Sequence, residues 1–251
     1  MRWVRFEYGG GISHGLLEGD AVQSVRGDPF SEYEPVAGSL PLASVRLLAP
    51  CVPSKIVAVG VNYKAHAAEF SHDLPKEPIL FLKPPSAVLD PGGTIRLPNR
   101  SRRVDFEAEL AVVIGRKTRG IEPGQARDAI LGYTCFNDVT ARDLQKRDGQ
   151  WTRAKSFDTF APFGPWIETE TDPGSLKIES YLNGERRQSA STDDLIFKVP
   201  ELVGFISGVM TLLPGDVIAT GTPAGVGPLQ SGDVIEIVIE GIGRLSNPVK
   251  N

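Results

Sequence analysis

Cysteine is nearly absent from this chain: 251 residues contain two, Cys51 and Cys135, far apart. That excludes a disulfide framework and a four-thiolate zinc site, and a reducing, cytoplasmic compartment is expected. No apolar run approaches the roughly 20 residues needed to span a bilayer. The opening MRWVRFEYGGGISHG lacks the charged, apolar and small-residue order of a secretory leader, so none is expected. A basic excess is missing too. With 27 Lys and Arg against 31 Asp and Glu, the net charge is -4, the wrong sign for nonspecific nucleic-acid binding. Neither a nucleic-acid nor a membrane partner is expected. The chain also lacks internal repeats and low-complexity tracts.

Glycine (27) and proline (20) are plentiful, which favours short strands and turns over a helical bundle. Residues 2–8, 12–18 and 21–26 alternate in polarity between glycine-containing turns, the pattern of a small β-meander. Pro50 and Pro53 bracket a boundary near residue 52. The expected organisation is a small N-terminal β domain (1–52) and a larger domain (53–251). KIVAVG and ILFLKP read as strands, and a short helix starting near Pro123 leads into a strand at 133–136. Asn183-Gly184 between alternating runs signals a hairpin. Apolar residues recur at helical spacing over 200–213, before Pro214-Gly215. The strands DVIATG and DVIEIVIEGIG close a β-rich α+β protein.

VDFEAELAVVIG (104–115) raises the functional question. As one strand it would project Asp105, Glu107 and Glu109 from one face, roughly 6.6 Å apart in steps of two. Carboxylates at that spacing repel by about 2.5 kcal/mol at an effective dielectric of 20. Taken alone, alternating acids describe a solvated strand face. The continuation LAVVIG points inward, however, where a hard cation such as magnesium, calcium or manganese would turn repulsion into coordination. Asp138, ending another apolar run, reads equally as a third ligand or as the cap of a helix TARDLQKR.

His66 and Glu69 share a face if NYKAHAAEF is helical, a pairing suited to activating water. An exposed helical ion pair is the commoner reason for that spacing. Arg142 and Gln145 follow Asp138 by four and seven residues, on its face if all three are helical. With Lys155 they offer donors to an anionic substrate. Lys146, Arg147 and Arg153 read as the solvated side of a helix, and His14 and His72 as surface residues. GTPAGVG (221–227) lacks the Lys-Ser/Thr of a phosphate loop and precedes a strand. Cys135 reads as a buried, inert thiol.

VAVGVNYKAHAAE, ILFLKP, VDFEAELAVVIG, FNDVTARDLQ, WTRAKSFDTFAPFGPW, YLNGE and IATGTPAGVG occur in this order. Together they resemble the signature of the fumarylacetoacetate hydrolase family, from about residue 53 to the C-terminus. Residues 1–52 are similar, more loosely, to the small N-terminal domain of longer bacterial members. The resemblance implies a β-roll catalytic domain, Mg2+ or Mn2+, a small anionic 2-oxo acid as substrate, and usually a homodimer. It makes Glu107, Glu109 and Asp138 the metal ligands, and Arg142, Gln145 and Thr222 substrate contacts. His66 and Glu69 become a catalytic dyad on a mobile lid, with Lys155 as a further catalytic group. Asp105 belongs to the motif without being a ligand, and a salt bridge to an arginine is expected of it.

The reaction so implied is hydrolysis of a C–C bond in a 2,4-dioxo acid, an acylpyruvate or fumarylpyruvate-like compound, through a metal-bound enolate. The same enolate serves isomerisation or decarboxylation of 2-oxo-dioic acids, of the 2-hydroxyhepta-2,4-diene-1,7-dioate or oxaloacetate type, in aromatic catabolism. The motifs do not separate these reactions.

Overall fold

A computed structural model describes residues 1–69 and 74–251, with the side chains of helix Lys64–Glu69 described only through His66. Its frame is one long, curled sheet. The main strands are Arg2–Tyr8 (β1), Gly11–Glu18 (β2), Ala21–Gly27 (β3), Ile56–Gly60 (β4), Ile79–Lys83 (β5), Ala108–Ile114 (β6), Ile130–Asn137 (β7), Ala161–Glu168 (β8) and Val217–Ala219 (β9). Across the sheet they run β3-β2-β1-β8-β7-β6-β9-β4-β5. The N-terminal meander is hydrogen-bonded into this sheet, with Trp3 opposite Ile167. Trp3 and Val25 also share a core with Phe163 and Ile167.

β4 and β6, the latter with Glu109 in it, are buried along their whole length, as strands covered on both faces are. Lys64–Glu69 (α1) follows β4, Arg142–Asp148 (α2) follows β7, and Val199–Val209 (α3) packs over the sheet. Leu202, Val203 and Ile206 of α3 share a core with Leu110, Val112 and Ile114 of β6. Each such side chain contributes roughly 1.5 to 3 kcal/mol by leaving water. A second sheet carries the expected hairpin, Lys177–Leu182 against Glu185–Ser191. Its turn residues Asn183 and Gly184 have φ of 54° and 81°, the doubly positive geometry that matches strand twist. No helix among the described residues is long and apolar enough to cross a membrane.

Three local expectations are corrected. VDFEAELAVVIG is two strands: Val104–Phe106 pairs with Thr140–Ala141 and Gly227–Pro228 in a separate small sheet. The break falls at Glu107, whose N–H donates to Asn137 Oδ1 at 3.0 Å instead of joining a ladder. Helix α2 begins at Arg142 after Ala141 as its cap residue, so Asp138 neither caps it nor shares its face. Helix α3 stops at Val209, because Met210 is extended and Leu212 pairs with Thr118.

Candidate active site

The C-terminal ends of β4 and β7 and the start of β6 open onto one cavity of about 420 Å³. Glu107, Glu109, Asp138, His66, Arg142, Gln145, Lys155 and Thr222 all line it. Carboxylate oxygens of Glu107, Glu109 and Asp138 lie within 4.8 Å of one another, all buried. Asp105 turns away and accepts from Arg142 Nε and from Arg103 Nε, each at 2.9 Å. The expected salt bridge to arginine is therefore present, and the break at Glu107 explains why Asp105 parts from the other acids.

The two glutamates differ in how tightly they hold a proton because their neighbours differ. Burial would raise the Glu107 carboxyl, but Lys155, Arg142 and His66 together hold it well below the usual carboxylate range. Lys155 Nζ donates to Glu107 Oε2 at 2.8 Å, and Arg142 Nη2 donates to Glu107 Oε1. Glu109 accepts the Gly221 N–H at 2.9 Å. Burial, then the charges of Asp138 and Glu107, push its carboxyl well above the ordinary value of 4.5. Gly221 can make this approach because it has φ of 99°, and a Cβ there would lie 2.7 Å from Asn62 Cβ.

Asp138 is flanked by two buried ammonium groups, Lys83 and Lys155. Burial lowers Lys83, with Lys155 adding to that against the attraction of Asp138. Lys155 goes the other way: burial lowers it, and Asp138 with Glu107 more than restores it. Sequence reasoning missed Lys83 as a site residue, although ILFLKP contains it. Gln188 was also missed. Its Oε1 accepts from the Ala108 N–H at 3.0 Å and its Nε2 donates to Thr222 Oγ1 at 2.8 Å. The aromatic wall was missed too: Phe81 and Trp151 meet edge to face at 5.2 Å. Gly60 makes room for it, since a Cβ there would be 2.6 Å from Trp151 Cζ3.

His66 is buried on α1 and faces the cavity. The Glu69 side chain and His72 lie outside the described residues. His14 is half-buried rather than on the surface. Arg142 also donates to Gln145 Oε1 at 2.7 Å. Cys51 and Cys135 are buried, and burial pushes both thiols up to about 12.

Three buried oxygen donors without thiol or imidazole suit Mg2+ or Mn2+. Oxygens about 2.1 Å from one ion are at most about 4.2 Å apart, so the 4.8 Å cluster fits a single ion after a small contraction. Such an ion would also offset the uncompensated charge around Glu109. This has a pH consequence. Above 4.5 the unfolded chain releases the Glu109 proton, while the metal-free fold keeps it until the raised value is passed. In that window the unfolded state binds fewer protons, so stability falls as pH rises. A cation that takes the proton's place removes the loss. Mn2+ is expected to raise the melting temperature more at about pH 7.5 than at about pH 5. Scanning calorimetry at both pH values checks this, and an equal or reversed effect contradicts it.

Comparison with known proteins finds matches along nearly the whole chain. Residues 1–50 match the model for an Rv2993c-like N-terminal region. A solved structure of 2-hydroxyhepta-2,4-diene-1,7-dioate isomerase from Mycobacterium marinum is 48% identical, with TM-score 0.93, covering 100% of this chain and 98% of that one. Maleylpyruvate hydrolase from Sphingobium sp. SYK-6, solved with manganese(II) and pyruvate, is 34% identical with TM-score 0.83, covering 100% and 99%. The mitochondrial oxaloacetate tautomerase fahd2 of Xenopus laevis is 44% identical over 82% of this chain and 69% of its own length. Residues 55–250 match the model for the fumarylacetoacetate (FAA) hydrolase C-terminal domain, and the chain belongs to that family.

Proposed function

We propose that the protein is a divalent-metal-dependent hydrolase that cleaves a C–C bond in a 2,4-dioxo acid of the acylpyruvate or fumarylpyruvate type. The observation that carries this reading is the meeting of three buried carboxylates, a buried lysine and a buried histidine in one cavity. Glu107, Glu109 and Asp138 would hold Mg2+ or Mn2+, which supplies Lewis-acid polarisation of the 2-oxo acid group when bound.

The protein groups account for the remaining steps. His66 takes a proton from water as the oxygen adds to the C4 carbonyl. Thr222 receives a hydrogen bond from Gln188 on its oxygen, so its own hydrogen is left to donate to the oxyanion formed at C4. The C3–C4 bond then breaks towards C3, and the 2-oxo oxygen takes the charge as an enolate, beside the Lys155 ammonium. Proton return from His66 to C3 leaves pyruvate and a carboxylic acid. Gln145 accepts from Arg142 through Oε1, which leaves its amide hydrogens to position substrate. The carboxylates of Glu107 and Asp138 keep the buried Lys155 charged beside the proposed substrate site.

A second reading is isomerisation, tautomerisation or decarboxylation of a 2-oxo dicarboxylate, as in aromatic catabolism, through the same enolate without attack by water. It is favoured by the isomerase and tautomerase relatives, which are more similar to this chain than the hydrolase. Either reading goes with a cytoplasmic homodimer acting on a small anionic 2-oxo acid. Loss of acylpyruvate enol absorbance with Mg2+ or Mn2+ tests the first reading. Expected is turnover that stops on chelation and returns with added cation, and unchanged turnover after chelation overturns the metal requirement. Faster keto-enol exchange of oxaloacetate, with acylpyruvate left intact, would select the second reading.

A further inference from the structure

The cations around the cavity are engaged to different degrees. Lys155 is held by Glu107 and Asp138. Arg142 is held by Asp105, Glu107 and Gln145. Lys146 also lines the cavity, yet among the described residues it has no hydrogen bond or ion pair. The two acids of its own helix are committed elsewhere. Asp143 accepts from Ser101 and the Arg102 N–H, and Asp148 pairs with Arg147 and Arg153. Lys146 is exposed, as expected of the solvated side of a helix, but it stands at the cavity instead of facing away from it.

Its position has a chemical sense. Arg142, Gln145 and Lys146 stand at i, i+3 and i+4 of α2 and so share a face. Four residues of helix rise set Lys146 about 6 Å along the axis from Arg142, whose guanidinium marks the acid cluster. The cavity wall beside these polar groups is uncharged, formed by Val59, Val61, Phe81 and Trp151. The cavity thus offers an anion-binding end at the acid cluster, an apolar flank, and an uncommitted ammonium about one helical turn away.

We infer that Lys146 is a specificity-determining residue that receives a second carboxylate, so that the site prefers dicarboxylic over monocarboxylic 2-oxo acids of equal length. The inference rests on the reading that the 2-oxo acid end of the substrate binds at Glu107, Glu109 and Asp138. An exposed ammonium keeps much of its hydration, so its contribution lies below that of a buried charge pair. An affinity difference of about tenfold is expected.

Isothermal titration of the Mg2+-loaded protein with 2-oxoadipate and 2-oxohexanoate tests this without turnover, since neither acid has a 4-oxo group to be cleaved. The native protein is expected to bind the diacid about tenfold more tightly. Lys146→Met should abolish the preference while leaving 2-oxohexanoate affinity and melting temperature unchanged, and Lys146→Arg should retain it. Binding of both acids without preference, or a preference that survives Lys146→Met, overturns the role of Lys146 and leaves the 2-oxo acid reading standing. Failure of both acids to bind the native protein rejects that reading and the inference with it.

Discussion

Replacing Asp138 with Asn is expected to lower the melting temperature of the metal-free protein by on the order of 10 °C, besides abolishing turnover. The Asp138 carboxylate lies between the ammonium groups of Lys83 and Lys155, and both lysines are buried. Apart from Asp138, the Lys83 Nζ has only the Val139 carbonyl, at 3.2 Å, as a hydrogen-bond acceptor among the described residues. Removing the shared anion leaves buried positive charge without a partner, which costs about 3 to 5 kcal/mol. A chain of this size loses roughly 2 to 4 °C per kcal/mol.

Glu109→Gln, at another of the proposed ligands, is expected to shift stability in the opposite direction. Burial and the charges of Asp138 and Glu107 disfavour its carboxylate, so neutralising it raises the melting temperature of the metal-free protein near neutral pH. A glutamine oxygen can still accept the Gly221 N–H. Both variants should lose the stabilisation that Mg2+ or Mn2+ confers. Thermal melts with and without cation separate the outcomes. A destabilised Glu109→Gln protein, or an Asp138→Asn protein as stable as the native one, contradicts this account of the site's electrostatics.

His66→Gln should lower kcat by about 10²- to 10⁴-fold, the range for loss of a positioned general base. Cation binding should persist, because His66 is not among the three clustered carboxylates. His66 is buried at the cavity, so the substitution removes the proposed proton acceptor. Glu69→Gln, at the other member of the proposed dyad, should act in the same direction. Initial rates measured alongside calorimetric titration with Mn2+ decide the matter. Native turnover in His66→Gln removes it as the base, and lost cation binding would assign it to the metal instead.

Much of this was legible along the chain, and the parts that were not share a cause. The meander, the buried runs of β4 and β6 and the Asn183-Gly184 hairpin follow from local periodicity and turn chemistry, which neighbouring residues decide. Glu107 and Glu109 stood out because acids at every second position preceded an apolar run. Lys83, 55 positions from Asp138, carried no such signal, since a lysine at the end of a strand resembles any snorkelling surface lysine. Gln188 reaches Ala108 across 80 positions, and no pattern of spacing announces a bond of that kind.

The sequence by itself determined most of the strands, though not the central Ala161–Glu168, which residues bear charge, and that acids lie beside a strand entering the core. Only the tertiary structure decided how those charges are shared. It breaks the strand at Glu107, gives Asp105 to Arg142 and Arg103, sets Asp138 between Lys83 and Lys155, and leaves Glu109 without a cationic hydrogen-bond partner among the described residues. The physical reason is range. Backbone periodicity is settled within a few residues, whereas the energy of a buried charge depends on every charge and every displaced water within several ångströms, wherever these lie in the chain.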